Sequence, residues 1–214
     1  MSIGNIFRKI VGEKIFPIFG KLYRRIFVQI KLISQTFPEI KPNSNFLDIG
    51  GGDGELLNLL LERFPDINIT MIDISGNIGS SIKNEFTSKV DVLPSTSMLE
   101  YKEKYPYKAS NIDFILISDV IHHVLPSQRP AFFNDLTKLI NPKTTIVFKD
   151  VEPGFFISKL GYLADKYISG DKTVQQVSKQ EIVLLMKQVS PNIKYFETDL
   201  FKLNKPNYSI VFTF

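Results

Sequence analysis

Residues 46–54 read FLDIGGGDG, an apolar run that meets an acid at Asp48 and then glycines at 50, 51, 52 and 54. A helical pattern starts at once: Leu56, Leu57, Leu60, Leu61 and Phe64 lie on one face of a 3.6-residue period. The glycines therefore fall on a strand-to-helix turn. Missing side chains there let a ligand lie against backbone N–H groups at a helix N-terminus. A second apolar run, 68–72, ends in Asp73, 25 positions after Asp48. An acid at that place in a βαβ unit reaches the hydroxyls of a bound ribose. The expected ligand is a nucleoside-bearing cofactor.

Spacing narrows the cofactor. A dinucleotide fold uses G-x-G-x-x-G, and here the third place is Glu55, a carboxylate that would face a pyrophosphate. No lysine stands in the loop to cradle a phosphate either. The pattern is Asp48-x-Gly50-x-Gly52-x-Gly54, which resembles the first motif of the class I S-adenosylmethionine (SAM) methyltransferases. Carboxylates beside the loop suit a ligand that carries a sulfonium and an ammonium group. The resemblance implies that Asp48, Gly50, Gly52, Gly54 and Asp73 bind SAM, with Ser95 and Ser118 contributing from later strand ends.

From residue 42 the chain alternates strand and helix, which implies a parallel sheet covered on both faces. The pattern predicts strands at 45–49, 68–72, 90–93, 112–118 and 145–149, and helices at 55–64, 77–86 and 128–140. In the last helix Phe132, Phe133, Leu136, Leu139 and Ile140 mark the buried face. Ser178 and Glu181 have capping-box spacing before a further helix that Pro191 closes. Two alternating runs, 193–198 and 208–214, end the chain. The resemblance covers residues 42–214. It implies an α/β, doubly wound, mostly parallel seven-stranded sheet with an antiparallel C-terminal strand, preceded by N-terminal helices at 1–41.

In that family the fourth strand ends beside the SAM methyl group, so Ser118 and Asp119 are expected at the mouth of the site. Lys149, Asp150 and Glu152 follow strand five at the next edge. Many relatives carry an Asp after strand three for the adenine amino group. This chain has Val92-Leu93-Pro94-Ser95-Thr96 instead, so Ser95, Thr96, a backbone carbonyl or apolar contacts must serve.

Methyl transfer needs an aligned nucleophile, exclusion of water, and a base only where the acceptor must lose a proton. The two histidines, His122 and His123, adjoin the exit of strand four. His122 is expected to face the acceptor as base or orienting group, with Asp119 and Asp150 on the same side. His123 is expected to pack or hydrogen-bond against the following helix. Asp119, His122 and His123 also resemble the E-x-x-E-H metal site of some methyltransferases, but the same arrangement occurs in metal-free relatives, and no metal is expected. Residues 153–175 form an insert whose Phe155, Phe156, Tyr162 and Tyr167 suit the wall of a hydrophobic acceptor site or the anchor of a lid.

Charge is unevenly placed. Residues 1–31 hold seven basic side chains and one acid, a net of +6, against a whole-chain net of +4. The remainder is therefore slightly acidic, and nucleic acid is not its expected partner. Residues 1–36 carry Ile/Phe stripes between the basic side chains. They read either as helices packed on the sheet or over the cofactor, or as an interfacial pair on an anionic membrane. Glu13 and Lys14 interrupt the start and no small-residue cleavage site follows, so a secretion signal is not read. No run reaches the length of a membrane span, and absent cysteine excludes disulfides and thiolate chemistry. The expected placement is cytoplasmic, peripheral to a membrane if residues 1–36 rest on one.

The expected function is methyl transfer to a small, apolar acceptor of lipid, quinone-like or polyketide type. Two alternatives stand beside it: an RNA methyltransferase anchored by the basic N-terminus, and a SAM-binding module without catalysis.

Overall fold

A computed structural model describes residues 37–155, 158–159, 174–199 and 206–214. The expectations for residues 1–36, and for Phe156, Tyr162 and Tyr167, lie outside these. Seven strands form one sheet: β1 Asn45–Ile49, β2 Asn68–Ile72, β3 Val90–Leu93, β4 Phe114–Ser118, β5 Thr145–Val151, β6 Lys194–Asp199 and β7 Asn207–Thr213. Their order is β3-β2-β1-β4-β5-β7-β6. The pairings from β3 to β5 are parallel, and β7 runs antiparallel to both β5 and β6. The strand order reverses between β1 and β4. At such a switch point ligands enter beyond the carboxyl ends of the strands.

The pleat divides the core. Leu47, Ile49, Ile115, Ile117, Ile146 and Phe148 face one layer, built from α2 Met98–Lys104, α3 Pro106–Ser110, α4 Arg129–Thr137 and α5 Lys179–Val189. Phe46, Met71, Leu116, Val147 and Val211 face the other, with Phe37, Ile40 and α1 Glu55–Arg63. In α1 the buried Leu57, Leu60 and Leu61 recur at helical spacing, as the sequence pattern requires. Among the described residues no helix is long and apolar enough to cross a membrane.

Two local expectations fail. The helix expected at 77–86 is absent, and only a 3-10 helix, Asn84–Lys89, forms at its end. The rest is drawn back across the glycine turn: Gly79 N donates to Gly52 O at 2.9 Å and Ser81 N to Asp53 O at 2.8 Å. Asn58 of α1 fixes it further, donating to Ser81 O and accepting from Lys83 N. Gly79 at φ 74° is incompatible with a helix interior. Conversely, α2 and α3 were not expected. Ser97 caps α2 in a full capping box with Glu100, and Pro106 opens α3.

Candidate active site

The carboxyl ends of β1 and β2 build one half of the site. Gly50, Gly52 and Gly54 all have positive φ (72°, 55° and 80°). Their surroundings differ: a Cβ on Gly50 would stand 2.5 Å from Val120, and one on Gly54 2.6 Å from Ile82. Gly52 alone of the three has no described residue within 4 Å of where a Cβ would stand. Gly51, which sequence reasoning passed over, lies over Asp48; a Cβ there would come within 2.3 Å of Asp48 Oδ2. Asp48 is buried, and burial together with the charge of Asp73 pushes its carboxyl up to about 7. Asp73 accepts from Ser75 N at 2.8 Å and Gly52 N at 3.3 Å, which ties the ends of β1 and β2 together.

Ser95 stands at the exit of β3 in a left-handed conformation (φ 49°), its N–H donating to Ser75 O. Thr96 turns its hydroxyl to Pro94 O and its N–H to Asp73 O, so Thr96 is engaged within its own loop. Next to Asp73, Ile74 is 83% exposed. Sequence reading missed it; an apolar side chain directly after the second-strand acid was the available signal.

The other half lies where β4 and β5 end. Ser118 donates to Asp119 Oδ2 at 3.3 Å, and Asp119 begins the exit turn at φ 57°. A 3-10 helix, Ile121–His123, follows. His122 Nδ1 lies 2.9 Å from Asp150 Oδ1 and 3.1 Å from Oδ2. Asp150 is buried. Burial alone would raise its carboxyl, but the His122 ring and then Lys149 outweigh that and hold it below the usual carboxylate range. Lys149, fully buried, donates to Asp119 Oδ1 at 2.6 Å and Oδ2 at 2.5 Å.

His123 is exposed, and its ring lies 4.1 Å from that of His122 at 44°. It stands on the outer side of the 3-10 turn rather than in the core. Among the described residues the grouping that could hold a metal is Asp119, His122 and Asp150, with ligand atoms within 4.8 Å of one another, and not Asp119 with both histidines. A divalent cation there would have to displace the buried Lys149 ammonium from Asp119. Lys149 already supplies positive charge to that carboxylate.

A third feature connects this turn to the chain beyond the insert. Arg129, 2% exposed, donates to Val124 O, to Gln175 O at 2.6 Å and to Glu181 Oε1 at 2.5 Å, while Gln175 N donates to His122 O at 2.8 Å. Arginine at the start of a helix gave no sequence signal for this role.

A family model described as a methyltransferase domain matches residues 21–188. The chain belongs to the SAM-dependent methyltransferase family. Malonyl-[acyl-carrier protein] O-methyltransferase 2 of Ilyobacter polytropus is 23% identical to this methyltransferase domain over 140 residues, 64% of the chain and 49% of that protein. Bergaptol O-methyltransferase of Kitagawia praeruptora is 28% identical over 89 residues, 36% of the chain and 25% of that protein. The matched stretches thus span a quarter to a half of the length of these curated relatives. Among solved structures, a SAM-dependent methyltransferase from Archaeoglobus fulgidus superposes with a TM-score of 0.63 at 17% identity, covering 91% of this chain and 99% of that one. This likeness shows the fold.

SAM is the cofactor of this methyltransferase, and the residues present fit it. Gly52 leaves open space beside backbone at the start of α1, and Asp73 offers carboxylate oxygens suited to a ribose diol. Asp48 is a buried carboxyl that a cationic ligand group would return to its ionised form. Ile74 adds an exposed apolar face next to the ribose acid.

Proposed function

We propose that this methyltransferase acts on an ionisable hydroxyl of a small, apolar acceptor, with His122 as general base and Asp150 as its anionic partner. The observation that carries the reading is the His122 Nδ1–Asp150 contact at the switch-point end of the sheet. A neutral imidazole that donates from Nδ1 presents its lone pair at Nε2. His122 takes the hydroxyl proton at Nε2 as the acceptor oxygen attacks, and Asp150 stabilises the imidazolium that results. Bound SAM supplies a methyl carbon already activated by its sulfonium. Asp48, Gly52 and Asp73 hold the cofactor, with Gly50 and Gly54 shaping the turn and Ser95, Ser118 and Ile74 lining its neighbourhood. An amine acceptor with a free lone pair would need no such base. Both curated relatives named above are O-methyltransferases, which supports oxygen as the acceptor atom.

The test is methyl transfer from labelled SAM to a panel of phenols, enols, fatty carboxylic acids, amines and short RNAs. Turnover on an apolar hydroxyl compound that falls about 10²–10⁴-fold in His122→Ala, with cofactor affinity kept, is the expected result. Turnover on RNA alone would replace this acceptor with nucleic acid. Cofactor binding with no turnover on any class would favour a module without catalysis.

We further propose that residues 1–36 rest on an anionic membrane, which would bring the domain to an apolar acceptor. Their net +6 charge over residues 1–31 and the Ile/Phe stripes support this. Sedimentation with anionic liposomes should rise with anionic lipid, fall with salt, and weaken in Arg24→Glu/Arg25→Glu. No sedimentation at low salt would leave these residues as a structural cover.

A further inference from the structure

Lys149 is an expensive residue to bury. Its side chain is 0% exposed, and its ammonium binds the carboxylate of Asp119. A well-packed apolar pair in place of a buried ion pair is often as stable or more so, so fold stability alone does not account for it. What the pair does is geometric. Asp119 carries the left-handed residue of the turn that ends in His122, and a non-glycine residue at φ 57° persists only where its surroundings hold it. β5 holds it twice: Lys149 O accepts from Asp119 N at 2.9 Å, and Lys149 Nζ binds both Asp119 oxygens. One residue further along β5, Asp150 receives His122 from the far end of the same turn.

We infer that Lys149 is a positioning residue, the buried cation that fixes the Asp119 turn on β5 and so sets the His122 ring on Asp150. The inference rests on the reading of His122 as the base, and concerns what aligns that base. Two pairs lie side by side, the Lys149 ammonium with Asp119 and the His122 imidazole with Asp150, so Lys149 is the fixed positive charge beside two carboxylates. Further titratable groups near them are the His123 ring, 4.1 Å from that of His122, Tyr208 of β7, Glu152 after β5 and Glu181 of α5. Removing Lys149 would leave two carboxylates facing one imidazole, and would release the turn that orients it.

The chain has only two histidines, which makes the test direct. Full-length protein labelled with 13C,15N-histidine is titrated by NMR, with His123→Gln assigning the signals. In Lys149→Met the His122 midpoint should rise by about one pH unit, and the nitrogen shifts should lose the fixed Nδ1–H tautomer. In Asp119→Asn, where the ammonium is left without its anion, the midpoint should fall. The double variant Lys149→Met/Asp119→Asn should return toward wild type, and Lys149→Arg should stay near it. His123, whose ring lies 4.1 Å from that of His122, should move less than His122 in each of them. S-adenosylhomocysteine binding by calorimetry verifies that each variant is folded. If Lys149→Met does not fold, the opposite shift in Asp119→Asn still decides. An unchanged His122 midpoint and tautomer in the folded variants would overturn the inference. Failure of the acceptor reading would appear elsewhere, as undiminished turnover in His122→Ala, because the titration needs no turnover.

Discussion

Asp48 and Asp73 close adjacent parallel strands, and the charge of Asp73 adds to burial in keeping Asp48 protonated up to about pH 7. The linkage has a definite sign. Asp48 in the fold holds a proton that the unfolded chain has lost anywhere above the ordinary carboxylate range. Its contribution therefore destabilises the protein as pH rises toward 7, by on the order of 1.4 kcal/mol per pH unit, and levels off above that. Thermal melts of wild type and Asp48→Asn without cofactor test this: the variant should gain relative stability at pH 8 and little at pH 5. Parallel curves would remove the effect.

The same group makes cofactor binding pH-dependent. A cationic ligand favours ionised Asp48, so S-adenosylhomocysteine should bind more weakly below pH 7 and release a proton on binding there. Calorimetry in buffers of different ionisation enthalpy reads that proton. Asp48→Asn should bind weakly at every pH and release none.

Asp73→Ala removes the proposed ribose acceptor and the anchor of the Gly52 and Ser75 N–H groups. The expected loss is about 1.5–3 kcal/mol of S-adenosylhomocysteine binding, the range for hydrogen bonds to a charged group. An unaltered affinity in the folded variant would contradict the assignment.

The glycines should separate by role. Gly52→Ala places a side chain in open space at positive φ, so it should cost about 1–2 kcal/mol of stability while impairing cofactor binding. Gly50→Ala and Gly51→Ala meet Val120 and the Asp48 carboxylate and should lower Tm further. Melting curves and cofactor calorimetry on the three variants rank them.

Asp150→Asn keeps the shape beside His122 and removes its anion. Turnover should fall by about 10²-fold or more with cofactor affinity retained. Treatment with EDTA should leave wild-type turnover unchanged, since Lys149 occupies the carboxylate a metal would need.

Most of the sheet is legible in the sequence because its strands, β6 aside, are built on short apolar runs. The observed bounds of β1, β2 and β3 coincide with those read from the pattern. The helix wrongly expected after β2 shows the limit. Ile78, Ile82 and Phe86 have helical spacing, but they pack against the glycine turn and α1 through contacts between distant parts of the chain. The site divides similarly. Asp48, Gly52 and Asp73 are readable because their spacing is local. Lys149 and Arg129 are not, since a buried cation is defined by partners at positions 119, 124, 175 and 181. His123 shows the converse: adjacency to His122 says nothing about which ring the turn faces inward.

The order of charges along β5 has a consequence for assembly of the fold. Lys149 and Asp150 are neighbours of opposite sign, matched to Asp119 and His122 on a turn fed by β4. A slip of β5 by one residue would invert every side chain on it and set the anion of 150 against the anion of 119. The two pairs thus act as a proofreading key for strand alignment: only one docking of β5 on β4 sets the Lys149 ammonium on Asp119 and Asp150 on His122.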